Sequence, residues 1–307
     1  MTTGLDTARQ PAAGSPFGFG DERAWRDWRA RKLGRSPAGV ADLVVEVADP
    51  LALTPAEREA IARRCRDANM AIYATRPRGD PKVLARELGA QLGLRRLDRN
   101  WLADDDGFSR IEVSGEAGRG EYIPYTDRPI RWHTDGYYHT PERTIRAMVL
   151  HCAAPAAQGG ENALMDPEIA YLALRDEDPA HVRSLMRDDA MTIPERRDEQ
   201  GVARPAQPGP VFSIDARTGH LHLRYTARTR SIEWNADAGV RAAVAAFERL
   251  LATPSPYILR ARLDAGMGIV CNNVLHDRSA FVDDPERPRL VLRARYHDRV
   301  DPPSDPR

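Results

Sequence analysis

Lysine is almost missing from this chain of 307 residues. Only Lys32 and Lys82 occur among 45 basic residues, so nearly all positive charge is arginine. Arginine forks suit carboxylates, although a base-composition bias accounts for the excess more simply. The basic residues are balanced by 45 acidic ones. With no basic excess, general nucleic-acid binding is not expected. Three cysteines, Cys65, Cys152 and Cys271, form no CxxC pair, which excludes a disulfide scaffold or cysteine-rich zinc module and fits a reducing compartment. No apolar run reaches the roughly 18 residues of a membrane span. The opening MTTGLDTARQPAAGSPFG has no apolar centre, so no secretory signal is expected. Together these absences imply a cytoplasmic protein with no membrane or nucleic-acid partner. A homo-oligomer stays open.

GxGxxG after a strand and GxxxxGK[ST] are both absent, and strands do not alternate regularly with helices, so Rossmann and P-loop folds are not expected. Thr54-Pro55-Ala56-Glu57 has the form of a capping box and predicts a helix to about Asp67. Asp80-Pro81, Asp166-Pro167 and Asp178-Pro179 repeat that kind of start, and a last helix should cover about Asp237 to Ala252. Strands are expected at Met70–Thr75, Arg110–Ser114, Glu121–Tyr125, Ile145–Cys152, Val211–Ile214, His220–Thr226, Tyr257–Leu263, Ile269–Leu275 and Arg289–His297. The pattern implies a mainly β protein with flanking helices, a sandwich or jelly roll. Residues 1–45 read as a flexible or accessory segment, 46–300 as one domain and 301–307 as a tail.

The chemistry concentrates in two segments. In Trp132-His133-Thr134-Asp135, residues two apart share a strand face, so His133 and Asp135 can grip one ion. An imidazole with a carboxylate suits iron(II) or manganese, and one more histidine would complete a two-His-one-carboxylate triad with open positions. The bland alternative is a surface strand. The second segment, Asn272-Asn273-Val274-Leu275-His276-Asp277-Arg278-Ser279-Ala280-Phe281, supplies His276. It is followed by Arg289 and Arg293, four apart on a following strand and able to clamp a carboxylate. The alternative there is a solvated arginine face that includes Arg295.

These pieces, with Ile123-Pro124-Tyr125-Thr126, Leu150-His151-Cys152 and Gly159-Gly160-Glu161-Asn162, resemble in order and spacing the TauD/TfdA-like family of Fe(II)/2-oxoglutarate-dependent dioxygenases. The likeness spans about residues 50–300. Its middle pieces look most like the γ-butyrobetaine and trimethyllysine hydroxylase branch. The resemblance implies a double-stranded β-helix (jelly roll, cupin-like) core. It implies Fe(II) held by His133, Asp135 and His276, with 2-oxoglutarate and O2 as cosubstrates. Arg293 or Arg289 would bind the far carboxylate of 2-oxoglutarate. Asn162 stands where many members carry Thr. The implied reaction is hydroxylation or desaturation of a small organic metabolite with release of succinate and CO2, and the Asp135 ligand disfavours halogenation.

A non-redox metal protein on the same scaffold, a cupin-like isomerase or binding module, is the rival reading. The arginine pair argues against it. Tyr125, Tyr137, Tyr138 and His139 are expected to face the substrate. Tyr125 matches an aromatic-cage position of the γ-butyrobetaine branch, which motivates an amine substrate as the minority reading. Arg110, Arg224 and Arg228 would serve an anionic one. His139 reads as a loop residue, His151 as a core or supporting residue, and Cys271 as packing.

Overall fold

The computed structural model describes residues 15–98, 107–114, 122–198 and 201–300. It divides into two compact units. One contains residues up to Ser36 together with Pro167–Pro254; the other contains Pro37–Asp166 and the chain from Ser255.

In the first unit, α1 (Glu22–Arg35) begins at Asp21, whose carboxylate accepts from Ala24 N. It lies with α4 (Pro167–Glu177), α5 (Pro179–Leu185) and α6 (Ala238–Ala252). The segment expected to be flexible or accessory is held here from Pro16 onward. Arg175 donates to the carbonyls of Pro16 and Gly18 and stacks over Trp25 at 3.9 Å. Lys32 is buried against Glu168 at 2.6 Å. Short strands at Phe212–Ile214 and Leu221–Leu223 pair as a hairpin.

The second unit has two sheets. The larger uses β1 (Val44–Glu46), β2 (Met70–Ala74), β3 (Ser109–Ile111), β5 (Ala147–Ala154), β8 (Met267–Cys271) and β10 (Leu290–Tyr296), in the order β1-β2-β8-β5-β10-β3. Only β1 and β2 run parallel. The smaller uses β4 (Ile130–His133), β6 (Asn162–Met165), β7 (Leu259–Ala261) and β9 (Leu275–Arg278), in the antiparallel order β7-β6-β9-β4. Period-two alternation decides what each face of the larger sheet buries. Val149, Val270, Leu292 and Ala294 form one core with Ile61 and Cys65 of α2 (Pro55–Ala68) and Leu88 of α3 (Pro81–Gln91). Met148, Leu150, Ile269, Cys271 and Val291 form a second core with Leu164, Leu259 and Ala261 of the smaller sheet. Each fully buried aliphatic side chain contributes about 1.5–3 kcal/mol.

The capping box holds: Thr54 Oγ1 accepts from Glu57 N, and the Glu57 carboxylate accepts from Thr54 N at 2.7 Å. Two strand expectations need correction. Glu121–Tyr125, of which Glu121 lies outside the described residues, is a 3₁₀ turn at Ile123–Tyr125. Pro124 has no N–H to give a ladder and sits comfortably at a helical start. Ile269–Leu275 is two strands in different sheets, divided at Asn273, whose φ of 52° turns the chain out of β8 and into β9. Among the described residues no helix is long and apolar enough to cross a membrane.

Gly268 on β8 admits no side chain. A Cβ there would overlap the Tyr73 ring and the Leu150 carbonyl. The ring has no room to move, because Tyr73 Oη is hydrogen-bonded to His151 Nδ1 at 2.9 Å in the core. Gly268→Ala should therefore destabilise by about 1–3 kcal/mol, as overpacking does. A lower urea midpoint with an unchanged m-value is the expected result.

Candidate active site

The small sheet brings the two histidine segments together. His276 of β9 stands opposite His133 of β4 in the ladder, and the two rings lie with centroids 4.1 Å apart. Each ring is oriented by its own strand. His133 Nδ1 meets Arg131 O and His276 Nδ1 meets Val274 O, both at 2.9 Å. A neutral ring that donates from Nδ1 leaves the Nε2 lone pair free for a metal. Burial favours that neutral form. It lowers the His133 pKa to about 3, helped by the neighbouring His276 and opposed by Asp135. Burial likewise lowers His276, again against Asp135.

After His133 the chain leaves the sheet. Gly136 turns it with φ 70°, and a Cβ there would run into Ile145 and His139. Asp135 is buried in this turn. Its Oδ1 accepts from Arg293 Nη1 at 3.0 Å, and Arg295 Nη1 lies 3.9 Å away. Burial alone would raise this carboxyl. Arg293, Arg295 and the two histidines outweigh it and hold the group well below the usual carboxylate range. Among the described residues, the buried Oδ2 of Asp135 has no hydrogen-bond partner. Among the described residues no three His, Cys, Asp or Glu side chains close on a common point; Oδ1 of Asp135 is engaged by Arg293 instead. The donor set itself fits a borderline divalent ion: two neutral imidazoles and one carboxylate with an unused buried oxygen.

Arg289, Arg293 and Arg295 share a face of the β10 segment, but they are not a solvated row. Arg289 and Arg295 are buried, and the Arg293 side chain is only 13% exposed. Arg293 and Arg295 are taken up by Asp135 and by a second carboxylate, Asp98. Asp98 accepts from Arg295 Nη2 at 2.6 Å and Arg143 Nη2 at 2.8 Å, with His139 Nε2 at 3.4 Å. Arg295 Nη1 also donates to Tyr138 Oη at 2.9 Å. Arg289 differs. Its guanidinium lies over the Phe281 ring at 5.0 Å, its buried Nη1 has no hydrogen-bond partner among the described residues, and Gly160 leaves it room.

The other expected residues are placed as follows. Asn162 is buried, and its Nδ2 donates to Asp277 O at 2.8 Å, which fixes it beside β9. Tyr125 is almost fully buried, while Tyr137 and Tyr138 are half-buried in the turn after Asp135. His139 faces Asp98. His151 lies on the helix-covered face of the larger sheet, bonded to Tyr73. Arg110 is paired with Glu112. Arg224 belongs to the other unit, where it donates to Gln207 O. Sequence reasoning missed Asp98, Arg295 as an inward residue, and Asn273. Asp98 lies remote in the chain beside no motif. Arg295 was legible only through strict strand alternation from Arg293.

Asp98 generates a test. Burial would raise its carboxyl, but His139, Arg295 and Arg143 hold it well below the usual range. Asp98→Asn should cost about 3–5 kcal/mol at neutral pH, as breaking a buried pair does. A lowered carboxyl stabilises above its unfolded value of about 3.9 and loses that contribution as pH falls toward the folded value. The stability gap between wild type and variant should therefore shrink below about pH 4. Denaturant melts at pH 7 and pH 3 measure it.

Residues 46–295 match the family model described as taurine catabolism dioxygenase TauD, TfdA family. A uridine-5'-phosphate dioxygenase from Streptomyces sp is 33% identical over 207 residues, covering 66% of this chain and 73% of that protein. Two solved structures share the fold. Asparagine oxygenase with Fe(II), 2S,3S-3-hydroxyasparagine and succinate superposes at TM-score 0.58 with 14% identity, over 96% of this chain and 88% of that one. A taurine dioxygenase from Burkholderia xenovorans gives 0.57 with 17% identity, over 85% and 89%. The matched family is one of oxygenases, which sets aside the non-redox reading. The chain belongs to the TauD/TfdA family and is a 2-oxoglutarate-dependent non-haem iron dioxygenase that uses Fe(II), 2-oxoglutarate and O2.

Proposed function

We propose that the enzyme hydroxylates a C–H bond of a small anionic metabolite, with His133, Asp135 and His276 as iron ligands and Arg289 as the anchor of 2-oxoglutarate. The observation that carries the ligand assignment is the cross-strand pairing of His133 with His276, with the Asp135 carboxylate two residues on. Iron loaded with 2-oxoglutarate and O2 supplies the oxidant, and the balanced outcome is alcohol, succinate and CO2. The protein's own part is positional. The carbonyls of Arg131 and Val274 aim the two imidazoles, and the burial of the site keeps water from the reaction.

Arg289 is favoured over Arg293 because Arg293 already neutralises Asp135, whereas Arg289 makes no salt bridge among the described residues; each has one buried nitrogen without a hydrogen-bond partner there. An unpaired buried guanidinium is costly until an anion meets it. Asn162 borders the same face of β9 and is assigned to the cosubstrate pocket with it. The two sheets are read as the halves of a double-stranded β-helix, and residues 46–300 as one catalytic domain in which Pro167–Pro254 is an insert. The free, buried cysteines suit a cytoplasmic enzyme.

Among the described residues three arginines, Arg143, Arg293 and Arg295, pair with the two carboxylates of Asp98 and Asp135. That favours an anionic substrate over an amine, with Tyr137, Tyr138 and His139 beside it. The curated relative makes uridine-5'-phosphate the first compound to test. Tyr125 is retained as a pocket residue.

Substrate-dependent succinate release should be seen with uridine-5'-phosphate and be absent with γ-butyrobetaine and trimethyllysine. The reverse result would replace the anion reading with the amine one. His133→Ala, Asp135→Ala and His276→Ala should each lose most bound iron, and His139→Ala should keep it. Arg289→Ala should raise the 2-oxoglutarate requirement by hundreds-fold or more, the equivalent of about 3–5 kcal/mol. An Arg293→Ala variant that does so while Arg289→Ala does not would transfer the anchor to Arg293.

A further inference from the structure

We infer that Asn273 is a positioning residue: its side-chain amide sets the Asp135 backbone, and so the Asp135 carboxylate, against His276. This rests on the reading of His133, Asp135 and His276 as the iron ligands.

Asp135 lies two residues beyond His133, where β4 ends, so its backbone N–H and C=O have no ladder to join. Both are taken by one side chain. Asn273 Oδ1 accepts from Asp135 N at 2.8 Å, and Asn273 Nδ2 donates to Asp135 O at 2.9 Å. Nδ2 also donates to Ile145 O at 2.8 Å, just before β5. Only an amide does this, because one end must accept while the other donates twice. Asn273 is 2% exposed, so without it these backbone groups would be buried unpaired, at about 1–3 kcal/mol each.

The same residue makes the corner between β8 and β9. Its φ of 52° is a conformation that asparagine tolerates better than most residues. His276 follows three residues later on β9. One residue therefore fixes where the distal histidine strand begins and where the Asp135 turn is held. Partners that orient metal ligands in this way typically cost tenfold to a hundredfold in metal affinity when removed.

A second left-handed asparagine serves as the comparison. Asn69 has φ 58°, and its side chain bonds Asp166, Asn272 and Arg299 rather than Asp135. If Asn273 were only a corner residue, removing either amide would cost stability alone.

Bind Co(II) anaerobically to the full-length protein and to Asn273→Gly, Asn273→Asp, Asn69→Gly and Asp135→Ala, at a temperature where circular dichroism shows each folded. Read the dissociation constant and the visible Co(II) bands. Asn273→Gly keeps the backbone conformation without the clamp and should bind Co(II) tenfold to a hundredfold more weakly, with shifted bands. Asn69→Gly should melt earlier but bind as wild type. Asn273→Asp accepts from Asp135 N yet cannot donate to the two carbonyls, and should weaken binding too; it decides the matter should the glycine variant not fold. Wild-type affinity and bands in the Asn273 variants, with binding lost in Asp135→Ala, would overturn the clamp and leave the ligand assignment standing. Wild-type affinity in Asp135→Ala would overturn the ligand assignment, and the inference with it.

Discussion

Buried positive charge is the constraint on which the site depends. The inward face of the β10 segment carries Arg289, Arg293 and Arg295, and a guanidinium cannot shed its proton to escape burial. Each must meet an anion. Among the described residues Asp98 meets Arg295 and Asp135 meets Arg293, while Arg289 is in no salt bridge, although the Asp283 carboxylate acts on it. The charge pattern thus divides the face. One end is paired within the chain, while the other is the end proposed to take an external carboxylate. On the proposed reading, a dicarboxylate held beside a cation would use the end where the arginine makes no salt bridge among the described residues.

The rest of the second unit serves that arrangement. The helix-covered face of the larger sheet is mostly apolar, with the Tyr73–His151 pair and the Tyr296 hydroxyl among its polar groups, and it supports the sheet from behind. The other face turns its apolar half toward Leu164, Leu259 and Ala261, and its arginine half toward the turn that carries Asp135. The smaller sheet is short, yet its register matters more than its length. A one-residue slip of β9 against β4 would carry His276 to the opposite face from His133. Arg278 guards against such a slip. It donates to the carbonyls of Pro124, Thr126 and Arg128 and lies over Phe281. The 3₁₀ turn is thereby tied to the end of β9.

Much of this was legible in the sequence because it rests on local rules. The capping box at Thr54, the helix starts at Pro81, Pro167 and Pro179, and the strand alternation of β5 and β10 follow from short-range sterics and hydrogen bonding. The spacing of His133 and Asp135, and the order of the segments carrying His276, Arg289 and Arg293, were enough to name the family. The two strand errors have local causes that periodicity does not weigh. Pro124 removes a ladder donor, and Asn273 takes a left-handed corner in the middle of an apolar run.

The sequence by itself determined the donor types, the reaction class and the existence of an arginine face, because each follows from residue chemistry at short spacing. The tertiary structure alone decided which charges are matched. Asp98 and Arg295 are 197 residues apart, and Asn273 reaches Asp135 across 138. No pattern in one chain announces pairs so distant; only closure of the two sheets brings them within hydrogen-bonding reach. For the same reason, tertiary pairing rather than sequence distinguishes Arg293, which meets Asp135, from Arg289, which makes no salt bridge among the described residues.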